Sequence, residues 1–127
     1  LCAFSASTGR PAHVIVNKRA AALRVFSMIP GANEQLDRTL SDANPDPSTE
    51  LVIVWNGSNH FNGLAPPGWV KPKGEGGLGV GRVGKGMASW LRRRNCALWH
   101  STPKGFCGYE SAAMSLRFLG SFGESSQ

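Results

Sequence analysis

The chain has 127 residues, 41% of them hydrophobic, and a net charge of +6 at neutral pH. That is material for one domain with a single core, which excludes a fully disordered chain, and no apolar run approaches the roughly 18 residues a transmembrane helix needs. The charge is asymmetric: residues 1–64 hold five bases and five acids, whereas residues 65–127 hold nine bases and three acids. A basic half suits an anionic partner such as nucleic acid or an acidic protein face, and equally suits a solvated helix.

In chain order, residues 13–16 (HVIV) are β-branched and predict a strand, followed by a turn at Asn17-Lys18-Arg19. Residues 22–28 (ALRVFSM) alternate, with Leu23, Val25 and Ser27 on one face. The stretch 42–49 (DANPDPST) reads as a loop without regular structure. Residues 51–55 (LVIVW) form a continuous apolar run between loops, the mark of a buried central strand. Asn56-Gly57-Ser58 is a turn signal, and 60–64 (HFNGL) continues as strand or loop. Residues 65–86 are rich in Gly and Pro and read as a linker. Beyond it, 87–94 (MASWLRRR) predicts a short helix, 96–100 (CALWH) a strand, and 107–119 (CGYESAAMSLRFL) an amphipathic helix. Three-and-four spacing on that helix puts Tyr109, Ala112, Ala113, Leu116 and Leu119 on its apolar face. The expected fold is α+β, a small antiparallel sheet flanked by helices. It is read as one domain: a strand-rich half over 1–64, the 65–86 linker, and a second half over 87–127.

Cys2, Cys96 and Cys107 are odd in number and irregularly spaced, which favours a reducing, cytoplasmic compartment over a disulfide scaffold. The first residue is Leu1, which suggests an excised domain, a processed product or a fragment. Such a domain would suit a viral polyprotein, or a bacterial effector acting in host cytosol.

The sharpest chemical feature is Gly105-Phe106-Cys107, which opens a helix directly after a loop. A thiol there lies at the positive end of the helix dipole, beside unpaired N–H groups that favour thiolate and can cradle an oxyanion. The alternative is a buried helical cysteine. The second feature is His60 with Asn62 two residues on. In extended chain these share one side, so the amide can orient the ring. Cys, His and Asn together form a nucleophilic set, in which the imidazole takes the thiol proton and the amide fixes its tautomer. The alternative is a histidine in a polar turn. His100, which ends the strand before the nucleophile loop, is a rival base without a flanking Asn or Asp, and His13 within its strand run reads as structural. Residues 79–86 (GVGRVGKG) approach a phosphate loop but place Gly86 where the magnesium-binding hydroxyl belongs. Arg92-Arg93-Arg94 near Trp90 and Trp99 offer a grip on phosphate, or a basic helix end favoured by the dipole. No metal-ligand pairing is evident.

Taken together, the segments Ala97-Leu98-Trp99 and Ser101 through Ala113, and the succession Arg10 through Val16, Leu23 through Phe26, Leu51–Trp55 and His60-Phe61-Asn62-Gly63-Leu64, resemble the ovarian-tumour (OTU) cysteine proteases over most of the chain. In that family a strand and loop lead to the nucleophile helix, and successive strands lead to a final His-aromatic-Asx segment. The resemblance implies an OTU or papain-like fold and a thiol hydrolase without a cofactor. Its substrate would be ubiquitin or a ubiquitin-like modifier, cleaved at an isopeptide or peptide bond. Cys107 would be the nucleophile, His60 the base, Asn62 the orienting residue, and Lys104, Gly105 and Phe106 the oxyanion loop. Trp55 and Trp69 would wall the channel for the substrate's tail. Two departures stand out: the family's acid three residues before the cysteine is Lys104 here, and only eight residues follow Leu119 where a helical lobe is usual. The halves also come in reverse order. A circular permutant joined through 65–86, a junction between two tandem domains, and an irregular fragment all fit. The permutant is favoured because one chain then holds a complete set. The rival readings are a basic, non-catalytic module for RNA or an acidic protein, with Arg92, Arg93 and Arg94 as its contacts, and a dead OTU-like scaffold that binds ubiquitin uncleaved.

Overall fold

A computed structural model of the chain describes residues 2–18, 22–31, 35–57, 60–66, 77–79, 85–100 and 107–119. The elements are α1 (Cys2–Thr8), β1 (Ala12–Val16), β2 (Arg24–Met28), β3 (Gln35–Thr39), α2 (Leu40–Ala43), β4 (Leu51–Trp55), β5 (Phe61–Ala65), β6 (Gly77–Gly79), α3 (Lys85–Arg94), β7 (Ala97–His100) and α4 (Cys107–Phe118). The fold is α+β. Its sheet has seven strands in the order β3-β2-β1-β4-β5-β7-β6.

The sheet is larger than a small antiparallel one, and it is mixed. β1 and β4 run parallel, in register from Ala12↔Leu51 to Val16↔Trp55, while the other pairs are antiparallel. The cause is the path of the chain. β2 and β3 add successively on one side of β1, and residues 40–50, α2 among them, carry the chain from the far end of β3 back to the starting end, so β4 runs on the vacant side in the same direction as β1. The apolar run 51–55 thus becomes a central strand, with Leu51, Val52, Ile53 and Val54 all buried.

Strand alternation sorts the core onto two faces. On one, Ile15, Val25, Val52, Val54, Leu64 and Leu98 pack against Met87, Trp90 and Leu91 of α3 and Leu40 of α2. On the other, Ala65 and Trp99 pack against Met114 and Phe118 of α4. The apolar face expected for α4 is corrected. The buried side is Ser111, Met114, Ser115 and Phe118, whereas Ala113 and Leu116 are exposed. Close approach of helix to strand outranks hydrophobicity here, because the serines serve polar backbone atoms of the sheet.

Four elements were not foreseen: α1, β3, α2 and β6. β3 is an edge strand with mostly exposed side chains, so it lacks the apolar alternation that marks a strand. The proposed loop 42–49 begins within α2. Thr39 caps that helix by accepting from the Asp42 N–H at 3.1 Å, and Asn44 closes it in the left-handed region at φ 40°. The 65–86 segment is likewise not a bare linker. Ala65 ends β5, residues 77–79 pair with β7, and Lys85 and Gly86 open α3.

Candidate active site

Two elements meet at the chemically suggestive residues. β5 changes partners midway. It pairs with β4 at Phe61 and Asn62, then with β7 from Gly63 to Ala65. At such a handover backbone polar groups lose their ladder partners and need others. Helix α4 supplies them. The Ser111 hydroxyl donates to the Phe61 carbonyl at 3.0 Å, and the Ser115 hydroxyl accepts from the Leu64 N–H at 3.2 Å. Gly63 makes the approach feasible: a Cβ there would lie 2.9 Å from the Ser111 carbonyl oxygen.

Cys107 is the first residue of α4. It stands one turn before Ser111, about 6 Å along the axis at a rise of about 1.5 Å per residue. Positions 111 and 115 share one helical face by their spacing of four. The helix therefore begins beside the start of β5. The cysteine's side chain lies outside the described residues, as do Lys104, Gly105 and Phe106 of the expected oxyanion loop and Trp69 of the expected channel.

His60 immediately precedes β5. Its backbone is braced across the turn, the Asn56 N–H donating to its carbonyl at 3.0 Å and its own N–H donating to Asn56 Oδ1 at 3.2 Å. Gly57 makes that turn at φ +84°. The ring Nε2 lies 2.8 Å from Asn62 Oδ1. An amide oxygen only accepts, so Nε2 is the donor in this contact. Asn62 stands opposite Val54 and shares a face with Leu64, the α3 side, while Gly63 on the alternate face carries α4. The imidazole pair and the first turn of α4 thus share one end of β5 and come to it from different faces.

Trp55 is half-buried. It stacks on Phe61 with ring centroids 5.9 Å apart and planes 14° from parallel. The two rings close one end of an apolar groove of about 200 Å³, lined also by Val14, Phe26, Met28 and Gln35. It lies on the α4 face of the sheet, next to the Ser111–Phe61 contact. The two serines and the Phe61 groove are what sequence reasoning missed. The signal was present as a residue spacing of four from Cys107 through Ser111 to Ser115, on a helix whose large apolar residues drew attention elsewhere.

The other candidates separate clearly. Cys96 packs against the core, and burial pushes its thiol up to about 12, with Arg94 only partly opposing. It is filler, not a nucleophile at neutral pH. His13 is buried and bonded at both nitrogens: Nε2 lies 2.8 Å from Glu50 Oε1, and Nδ1 2.7 Å from Ser27 Oγ. Although Ser, His and Glu in contact suggest nucleophilic chemistry, Ser27 and His13 have essentially no exposed surface, so this network is structural. His100 ends β7. Of the phosphate-loop stretch, Gly79 ends β6 and Lys85 and Gly86 open α3; the residues between lie outside the described set. Among the described residues no three His, Cys, Asp or Glu gather as metal ligands. No described helix is long and apolar enough to cross a membrane.

Comparison of the sequence and fold with protein-family models, curated proteins and solved structures finds no match.

Proposed function

We propose that the chain is a permuted, OTU-like thiol hydrolase that cleaves an isopeptide or peptide bond after the tail of ubiquitin or a ubiquitin-like modifier. One observation carries this reading. The helix that begins with Cys107 is pinned, through Ser111, to the carbonyl of Phe61, the residue after His60. In this mechanism His60 Nδ1 takes the thiol proton, and the Cys107 thiolate attacks the scissile carbonyl. Asn62 holds the Nε2–H tautomer and supports the imidazolium that forms. The N–H groups at the start of α4 would receive the oxyanion. His60 then protonates the leaving amine, and water releases the acyl group from Cys107. The groove beside Trp55 and Phe61 offers apolar surface for the residues that precede the scissile bond.

The test is a ubiquitin derivative carrying a C-terminal electrophile. Wild type and Cys96→Ala should form the adduct at similar rates, Cys107→Ser and His60→Ala should form none, and Asn62→Ala should react at least about tenfold more slowly. Labelling that survives Cys107→Ser overturns the assignment. Stable binding of ubiquitin without any adduct would instead indicate a scaffold that has lost its chemistry.

A further inference from the structure

Apart from the thiol site, a second cavity, of about 370 Å³, opens between α2 and the last turn of α3. Leu40 and Trp90 line it with apolar surface, and Ser41, Asn44, Arg93 and Arg94 supply polar groups. A basic last turn is what the dipole of α3 favours, so the arginines alone carry no message about a ligand. The cavity adds one. Arg94 Nη2 donates to Asn44 Oδ1 at 2.6 Å, which leaves the Asn44 NH₂ as a donor. Arg93 makes no hydrogen bond or ion pair among the described residues. The Trp90 ring walls the cavity, and its indole N–H, like that of Trp99, is sealed from solvent without a partner among the described residues, so it reports on the site without contacting a ligand. Two of the α3 carbonyls nearby are already engaged, because Leu91 and Arg92 accept from the Cys96 and Asn95 N–H groups at 3.0 and 3.1 Å. Of the neighbouring acids, Asp46 is engaged by Ser48 and Thr49 and feels the Arg94 charge; Asp42 lies in α2.

We infer that this cavity binds a phosphoryl group. Its convergent groups are two guanidiniums, an amide NH₂ and a hydroxyl. A set dominated by donors matches a phosphate, whose unprotonated oxygens are strong acceptors, and guanidinium forks suit its geometry. The phosphate of a nucleic-acid strand and that of a free nucleotide share this chemistry. Arg92, exposed on the same turn, lines no part of the cavity.

The experiment is an NMR titration of the full ¹⁵N-labelled chain, separately with a short single-stranded RNA, a nucleoside monophosphate and inorganic phosphate. The probes are the Trp90 indole N–H, assigned by its loss in Trp90→Phe, and the Ser41 and Asn44 amides. Saturable shifts at all three are expected. The affinity should fall about tenfold or more in the Arg93→Ala, Arg94→Ala double variant and stay within about twofold in Arg92→Ala. Shifts with RNA alone identify a strand as the source; equal shifts with the mononucleotide and phosphate identify a free ligand. Ser41→Asp sets a carboxylate at an exposed position inside the cavity and should abolish the shifts while the fold persists, which keeps the test decisive if the arginine variant unfolds. No shift with any of the three, or Arg92→Ala weakening binding as much as the double variant, overturns the site.

Discussion

At the scale of single residues, the buried His13 network sets how the fold responds to acid. Glu50 can only accept, so His13 donates from Nε2, and its Nδ1 accepts from Ser27. Arg38 donates in turn to Ser27 at 3.1 Å. That arrangement needs a neutral ring. Burial lowers the His13 pKa below its ordinary 6.5, assisted by Arg38 and opposed by the hydrogen bond and charge of Glu50. Between 6.5 and the lowered folded value, the unfolded chain binds the proton and the folded chain does not. Stability should therefore fall as pH drops through 6.5 toward the lowered folded value, read as a shrinking urea midpoint. Asp46 adds a second stage. Burial raises its pKa, but the Ser48 hydroxyl and amide, Thr49 and Arg94 outweigh that and hold it below the ordinary 3.8. Its contribution is present above 3.8 and is lost only as pH falls through the folded value, so Asp46→Asn should remove the more acidic stage alone. His13→Ala should cost about 2–4 kcal/mol at neutral pH, because it removes the acceptor of the buried Ser27 hydroxyl and the ring donor of Glu50, and leaves a cavity in their place.

At the scale of elements, the junction of β5 with α4 is the place to intervene. Gly63→Ala forces a methyl against the Ser111 carbonyl, which is backbone and cannot step aside. We expect a loss of about 1–3 kcal/mol in stability, and slower reaction with the ubiquitin electrophile as the helix lifts. Ser111→Ala leaves the Phe61 carbonyl unserved and should cost a similar amount, about 1–3 kcal/mol; equilibrium urea unfolding measures both. These contacts also show why element type was more legible than element face. Periodicity located α4 and β7 within a residue or two, since pattern and length suffice for that. Which side of α4 is buried depended on a strand some fifty positions away changing its neighbour, and nothing local to 107–119 encodes that event. β3 was hidden for the converse reason. Gln35, Leu36, Asp37 and Thr39 are all exposed, so an edge position imposes no hydrophobic rhythm.

At the scale of the whole molecule, the halves are not independent. The apolar face of β1, β2 and β4 is covered by Met87, Trp90 and Leu91 from beyond the Gly-rich stretch. Residues 1–66 expressed alone should therefore show no cooperative thermal transition by near-UV circular dichroism, whereas the whole chain shows one. The run 51–55 announced a central strand without help from other segments, because burial on both faces writes itself into continuous apolarity. The parallel pairing of β1 with β4 was not legible, as direction follows from which end of the sheet the 40–50 connection returns to. The proximity of His60 to Asn62 was legible from two-residue spacing alone. The approach of α4 to the same strand end was suggested only by family resemblance, being a matter of long-range assembly.

The handover at Gly63 has a mechanical corollary. Five residues of β5 form the seam along which the halves are stitched, its leading end held by β4 and its trailing end by β7. Helix α4 bonds to both ends, through Ser111 at Phe61 and Ser115 at Leu64, and so lies across the seam as a splint. Shear between the halves would have to break both serine bonds, so the spacing between the start of α4 and the strand end that carries His60 is held whichever half is pulled.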